Sequence, residues 1–328
     1  LAAPLLVVLL GAALRIAQLI LVPELYLDWE DLGRGLVARE LLDGMALHLL
    51  DHQMDPYAGG SLVMGILATP LFALFGDSIV SLKLAAVPFI VVTALAMYAL
   101  LARTAGRTAA VLASSLVFLT PYSMGRLSLL VWGDHSQTPA FMALCLVLAQ
   151  AWGDDSRRGV WRAATLGLVA GFGLYFHYHL FIPLMVVGLL LLATDRRGLV
   201  GARGAALLVG ALVGFLPWLV YNLTHDFQGL TISRYGTVVA PSAGWFLEYP
   251  ARLWSLVGPV PAGVWGTAPV IGSAQVALST VSWLAVVGAW AGLAWADRGR
   301  LEEFWRALLQ GMPGRGVESR RWISIPSI

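Results

Sequence analysis

From Pro23 to Gly60 the chain reads PELYLDWEDLGRGLVARELLDGMALHLLDHQMDPYAGG, and long apolar runs lie on both sides of it. Eight of the chain's 19 Asp and Glu residues fall here: Glu24, Asp28, Glu30, Asp31, Glu40, Asp43, Asp51 and Asp55. Asp77 follows closely. Carboxylates gathered beside a bilayer are costly unless they are solvated, paired or used. The segment therefore reads as a loop outside the membrane, set between a first hydrophobic span and the rest of a membrane protein.

Composition supports that reading. The 328 residues are 59% hydrophobic and 12% charged, about half the charge of an average soluble domain. Apolar runs of about 17 to 25 residues recur along most of the chain, which is the pattern of a polytopic helical membrane protein. The runs are continuous and do not alternate, which excludes a β-barrel. The expected fold class is all-α, a polytopic transmembrane helical bundle. Cys145, the single cysteine, permits no intrachain disulfide and no cysteine-based zinc site. The chain opens at Leu1 inside an apolar run and ends in an arginine-bearing polar stretch. Both ends read as clipped from a longer protein, with no cleavable signal peptide at the start.

Hydropathy places spans at about 1–23, 79–102, 108–125, 136–152, 160–177, 179–194, 199–222 and 273–296. The apolar segment 60–76 is ambiguous, and the positive-inside rule decides it. If 60–76 is re-entrant or interfacial, 14 of the 21 Lys and Arg residues collect on one side, which becomes the cytoplasm. The expectation is eight crossings plus one re-entrant or interfacial helix, with a cytoplasmic N-terminus. Residues 1–297 then form the membrane domain, with outer loops at 24–78 and 223–272, and 298–328 form a cytoplasmic tail. All six histidines fall on the outer side or at its edge: His48, His52, His135, His177, His179 and His225.

Within the first loop, Leu32, Leu36, Val37, Leu41 and Leu42 recur at helical spacing, predicting an amphipathic helix from Asp31 to Gly44. Carboxylates suit its N-terminal end. Asp28, Glu30 and Asp31 together exceed what capping needs, and like charges raise one another's pKa, as a general base requires. Asp134, in LLVWGDHSQTP, reads either as an N-cap for the next helix or, with His135, as part of a site facing the acidic loop. His177 and His179 sit at i, i+2, which shares no helix face, so a zinc pair is disfavoured and a single histidine donating to a phosphate or hydroxyl is favoured. Arg15 lies inside the first span and should pair within the bundle, and Lys83 lies near a span end, where it can snorkel. No Walker loop, Rossmann fingerprint or G-x-S-x-G is present, and no internal repeat of the transporter kind is evident.

The order of these landmarks resembles the polytopic GT-C glycosyltransferases, and within them the protein mannosyltransferase and lipid aminoarabinose transferase family. The resemblance rests on Arg15 in the first span, the acidic pair Glu30-Asp31 and the run Ala38-Arg39-Glu40-Leu41-Leu42-Asp43-Gly44. It continues through Asp55-Pro56-Tyr57, Leu74-Phe75-Gly76, Lys83, Thr120-Pro121-Tyr122, Asp134, His177 or His179, and Leu216 to Asn222. It covers about residues 5–225. The pair is Glu-Asp here where the family has Asp-Glu, and Arg34 stands where the family has an aromatic.

What the resemblance implies is an enzyme of the cell membrane that moves a sugar from a polyprenyl-phosphate donor to a hydroxyl of a lipid, glycan or protein acceptor on the extracytoplasmic side. Glu30 or Asp31 is the expected base, with Asp28 next, and Asp134 holds the acceptor or orients the site. Arg34, Arg126 or Arg234, with His179, would neutralise the lipid phosphate that departs. His135, Asp55 and Tyr57 are further candidates for orienting the acceptor. No cofactor and no metal is expected, although paired carboxylates could hold a divalent ion. Membrane lipids are expected partners and nucleic acid is not. Two other readings stay open: a transporter or flippase, and a non-catalytic remnant of the family.

Overall fold

The computed structural model describes residues 2–21, 29–44, 50, 58–120, 122–150, 152 and 157–230. The expected span at 273–296, the loop beyond residue 230 and the C-terminal tail lie outside these. The chain divides into two compact units, one of residues 1–120 with 125–235 and one of residues 121–124 with 236–328. The first unit holds all the described residues except 122–124.

Twelve helices are described in order: α1 (Ala2–Leu21), α2 (Trp29–Leu42), α3 (Gly60–Phe75), α4 (Ile79–Leu84), α5 (Val87–Thr104), α6 (Arg107–Phe118), α7 (Tyr122–Ser128), α8 (Gln137–Ala149), α9 (Arg157–Phe176), α10 (Phe181–Thr194), α11 (Arg196–Leu199) and α12 (Ala202–Thr224). No strand pairs into a sheet among the described residues. Among the described residues, four stretches are long and apolar enough to cross a bilayer: Pro4–Leu21, Ile79–Thr104, Arg158–Phe176 and Ala202–Thr224. The other apolar helices are shorter. With 16 residues, α3 is about 24 Å long, less than the roughly 30 Å of a hydrocarbon core. Helices α6 and α8, both read as spans from sequence, are shorter still at 12 and 13 residues. Length alone therefore does not set α3 apart.

The leucines, isoleucines and valines on the outer faces of α1, α10 and α12 are exposed, for example Leu9, Leu10, Ile182, Leu189, Leu208 and Leu212. Such faces are suited to lipid. The closest helix pair is α9 with α12. A Cβ added at Gly167 or Gly171 would lie 2.0 or 2.1 Å from a backbone oxygen of α12, and one at Gly210 or Gly214 would lie 2.1 or 2.3 Å from one of α9. Each helix thus presents a G-x-x-x-G face that admits the other backbone, the small-residue packing typical of membrane helices.

Arg15 pairs inside the bundle, as expected. It is 2% exposed, donates to Gln18 Oε1 at 3.1 Å and reaches Thr120 Oγ1. Lys83 does not snorkel: it is fully buried and ion-paired with Asp31. The α4–α5 junction at Ala85–Ala86 sets it in the core, where a partner across the bundle replaces water.

The first-loop helix forms as expected, as α2, and the structure adds which face turns inward. Leu32 and Leu36 are each 58% exposed, while Asp31, Arg34, Val37 and Ala38 are buried against the bundle. Period alone finds a helix. It cannot tell which face turns inward when the inward face carries an ion pair and the outward face meets lipid or interface.

Candidate functional site

Four chain segments meet at one end of the bundle. They are the start of α2, the start of α3, the connection from α7 to α8, and the junction of α9 with α10. Asp31 ties the first to the third. One carboxylate oxygen pairs with Lys83 Nζ and the other accepts the Val131 N–H at 3.1 Å. Both oxygens of this buried group are thus engaged, so Asp31 acts as a tether for the 129–133 segment.

The start of α3 is held equally closely. Gly59 N–H donates to Tyr175 O at 2.7 Å. A Cβ at Gly60 would lie 2.7 Å from Phe176 O and 2.8 Å from Gly133 O. Gly133 itself has φ +97°, a conformation that L side chains rarely adopt. Gly60 and Gly133 therefore bring two backbones together and aim the next residue, Asp134, at the α9–α10 junction.

Asp134 is not the N-cap of α8. That position is Ser136, without a side-chain cap bond, and Asp134 contributes only its backbone carbonyl, to the Thr138 N–H at 3.1 Å. Its carboxylate instead faces histidines. His135 Nδ1 is 3.6 Å from Asp134 Oδ1, and His177 Nε2 is 4.0 Å from Asp134 Oδ2. The rings of His177 and His179 have centroids 4.2 Å apart. The i, i+2 argument fails here because the pair is not helical. His177 is extended, at φ −160° and ψ 135°, and a 3-10 turn over Tyr178–Leu180 follows, so both rings turn to the same side.

Burial pushes His177 down to about 4; Asp134 opposes the shift, and His179 and His135 add to it. His177 is therefore neutral near pH 7. The peptide N–H of His179 donates to His177 Nδ1 at 3.3 Å. Asp134 Oδ1, His135 Nε2, Trp132 Nε1 and the Ser61 and Ser136 hydroxyls are buried without a hydrogen-bond partner. Buried polar atoms in that state are unusual, and several of them gather near Asp134, which makes this the candidate site.

Of the residues singled out from sequence, the fold brings together Asp134, His135 and His179, with His177, and links Asp31 to the same region through Val131. Arg34 is buried in α2 and Arg126 is half-buried in α7; Asp134 pairs with neither. Glu30 is in the first turn of α2, with its side chain outside the described atoms. Asp28, Asp55, Tyr57 and Arg234 lie outside the described residues. Sequence reasoning did not foresee the Asp31–Lys83 pair or the roles of Gly60 and Gly133. The Gly59-Gly60 and Trp132-Gly133-Asp134 runs were the available signals.

A family described as dolichyl-phosphate-mannose-protein mannosyltransferase matches residues 60–221 of the chain. The match takes in just under half of the chain, and over it the chain is similar to this family. The matched region runs from the first residue of α3 to Tyr221 in α12 and includes Lys83, Asp134, His177 and His179; α2 and its acidic pair precede it. No curated protein and no solved structure matches the chain. The similarity points to a membrane glycosyltransferase of the mannosyltransferase kind, and the polar cluster at Asp134 lies within the matched part.

Proposed function

We propose that the protein transfers a sugar from a polyprenyl-phosphate donor to an acceptor hydroxyl, at the extracytoplasmic face of the cell membrane. The observation that carries this reading is the gathering of Asp134, His135, His177 and His179 at one end of the helices, tied by Asp31 to the helix that bears Glu30. A lipid-phosphate sugar enters from the bilayer with its head group at the interface. This is where such an end of a bundle lies.

Glu30 is the general base in this reading. Helix register puts position 30 on the same side of α2 as positions 34, 37 and 38, and Asp31 holds that turn in place. The carboxylate takes the proton of the acceptor hydroxyl as its oxygen bonds to the anomeric carbon. The bond from that carbon to the phosphate oxygen breaks, and the lipid phosphate leaves with the electron pair. Donors at His179 and Arg126 stabilise its charge. Asp134 and His135 orient the acceptor.

Purified protein in nanodiscs would be given radiolabelled polyprenyl-phosphate sugars and assayed for transfer. Glu30→Gln is expected to lower turnover at least about a hundredfold, the usual worth of a general base. Full activity in Glu30→Gln would remove Glu30 from this role. No turnover of any donor by the unaltered protein would count against the reading as a whole.

A further inference from the structure

One atom from each of Asp134, His177 and His179 lies within 4.8 Å of the other two. The 4.0 Å between His177 Nε2 and Asp134 Oδ2 is too long for a hydrogen bond. Two ligands on one tetrahedral zinc-sized ion, each about 2.0–2.2 Å from the metal, lie about 3.3–3.6 Å apart, so the pair closes by about half an ångström when an ion binds. The carboxylate is largely buried and the groups that face it are three imidazoles; among the described residues no Lys or Arg pairs with it. A buried carboxylate without a cation is costly, and its Oδ1 and the His135 Nε2 beside it have no hydrogen-bond partner.

We infer that Asp134, His177 and His179 form a binding site for a zinc-class divalent cation. Two imidazoles and one carboxylate suit zinc and neighbouring first-row ions, whereas magnesium and calcium prefer all-oxygen sets. Three protein ligands leave a position open to water or an incoming oxygen, and the exposure of His179 opens that position to solvent. Ligation through His177 Nε2 places the ring proton on Nδ1, so the 3.3 Å contact from the His179 N–H gives way on binding. The Gly60–Gly133 contact fixes the backbone approach of Asp134 to the two histidines, and side-chain rotation brings the three ligand atoms onto the ion. The site does not rest on the proposed transfer reaction.

The test uses full-length protein carrying no oligohistidine tag, stripped with chelator in detergent and titrated with Zn²⁺ by calorimetry and with Co²⁺ by visible absorption. One equivalent is expected to bind. Asp134→Asn, His177→Gln and His179→Gln should each weaken binding at least tenfold. Because His179 is exposed, His179→Cys should fold normally, keep the metal and add a sulfur-to-cobalt charge-transfer band. That band is a signature a merely structural histidine would not produce. Zn²⁺ binding by the unaltered protein no tighter than by the triple variant would overturn the site, as would His179→Cys binding cobalt without the new band. Neither readout involves a donor sugar, so failure here leaves the transferase reading standing, and the converse holds as well.

Discussion

The same helices, α8, α9 and α10, end in two very different ways. At one end, beyond the close of α8 and α10 and at the start of α12, Arg203 donates to Asp195 Oδ2 at 2.5 Å and to the Trp152 carbonyl, and its guanidinium lies 5.4 Å from the Trp152 ring centre. Asp195 Oδ1 accepts the Gly198 N–H at 2.9 Å. The charges of Arg203 and Asp195 match each other, and the buried atoms left without a bond nearby, Trp152 Nε1 and Gln150 Oε1, belong to neutral groups. At the other end a carboxylate faces imidazoles, and several buried polar atoms around it, one of its own oxygens included, are unpaired. One end has its charges settled by the chain itself. The other keeps buried polar atoms that no described group satisfies, which is the difference between a candidate site and a staple.

The largest effect should come from the tether that supports the incomplete end. Lys83→Met leaves Asp31 as a buried unpaired charge and is expected to cost about 3–5 kcal/mol. Asp31→Asn combined with Lys83→Met keeps an acceptor for the Val131 N–H and removes both charges, so it should be clearly more stable than Lys83→Met alone. Thermal melting in detergent gives the ranking. A double variant as unstable as the single one would mean that the pair's charge is not what matters.

The contrast also has a pH dependence confined to one end. His177 sits at about 4 in the folded protein, below the ordinary histidine value near 6.5. Between those values the unfolded chain binds a proton that the folded one refuses. Stability is therefore complete above about pH 6.5 and is lost as pH falls toward 4, by at most about 3 kcal/mol. His177→Gln should flatten this part of the melting profile. An unchanged profile would place the acid sensitivity elsewhere.

The helices were legible from sequence because apolar runs report burial in lipid or core directly. The described parts of seven sequence-predicted spans are largely helical, although 108–125 divides into α6 and α7 and four stretches are long enough to cross a bilayer, and α2 appears where its leucine spacing put it. What sequence concealed depends on partners far apart in the chain. Lys83 near a span end looks free to snorkel until Asp31, 52 residues earlier, is seen beside it. The leucine spacing of α2 does not say which face is buried, and that face proves to be Asp31, Arg34, Val37 and Ala38. His177 and His179 look incompatible with one ligand only if their segment is assumed helical. A single extended residue before a 3-10 turn reverses that conclusion. Asp134 offered a cap reading and a site reading, and the backbone removes the first, because α8 begins three residues later.

The smallest expected effect tests the self-sufficient end. Arg203→Met removes the partner of Asp195 and the donor to the Trp152 carbonyl while keeping most of the aliphatic stem, so packing against Trp152 is largely retained. Asp195 keeps its Gly198 bond and is partly open to water, its side chain 25% exposed, so the remaining charge is solvated in part. The cost should be about 1–3 kcal/mol, below that of Lys83→Met. Because this staple shares helices with the histidine cluster and nothing else, Zn²⁺ affinity should stay unchanged in Arg203→Met. Loss of metal binding on breaking the staple would show that the two ends are coupled along α9 and α10, and the separation between a self-sufficient end and a receptive one would have to be given up.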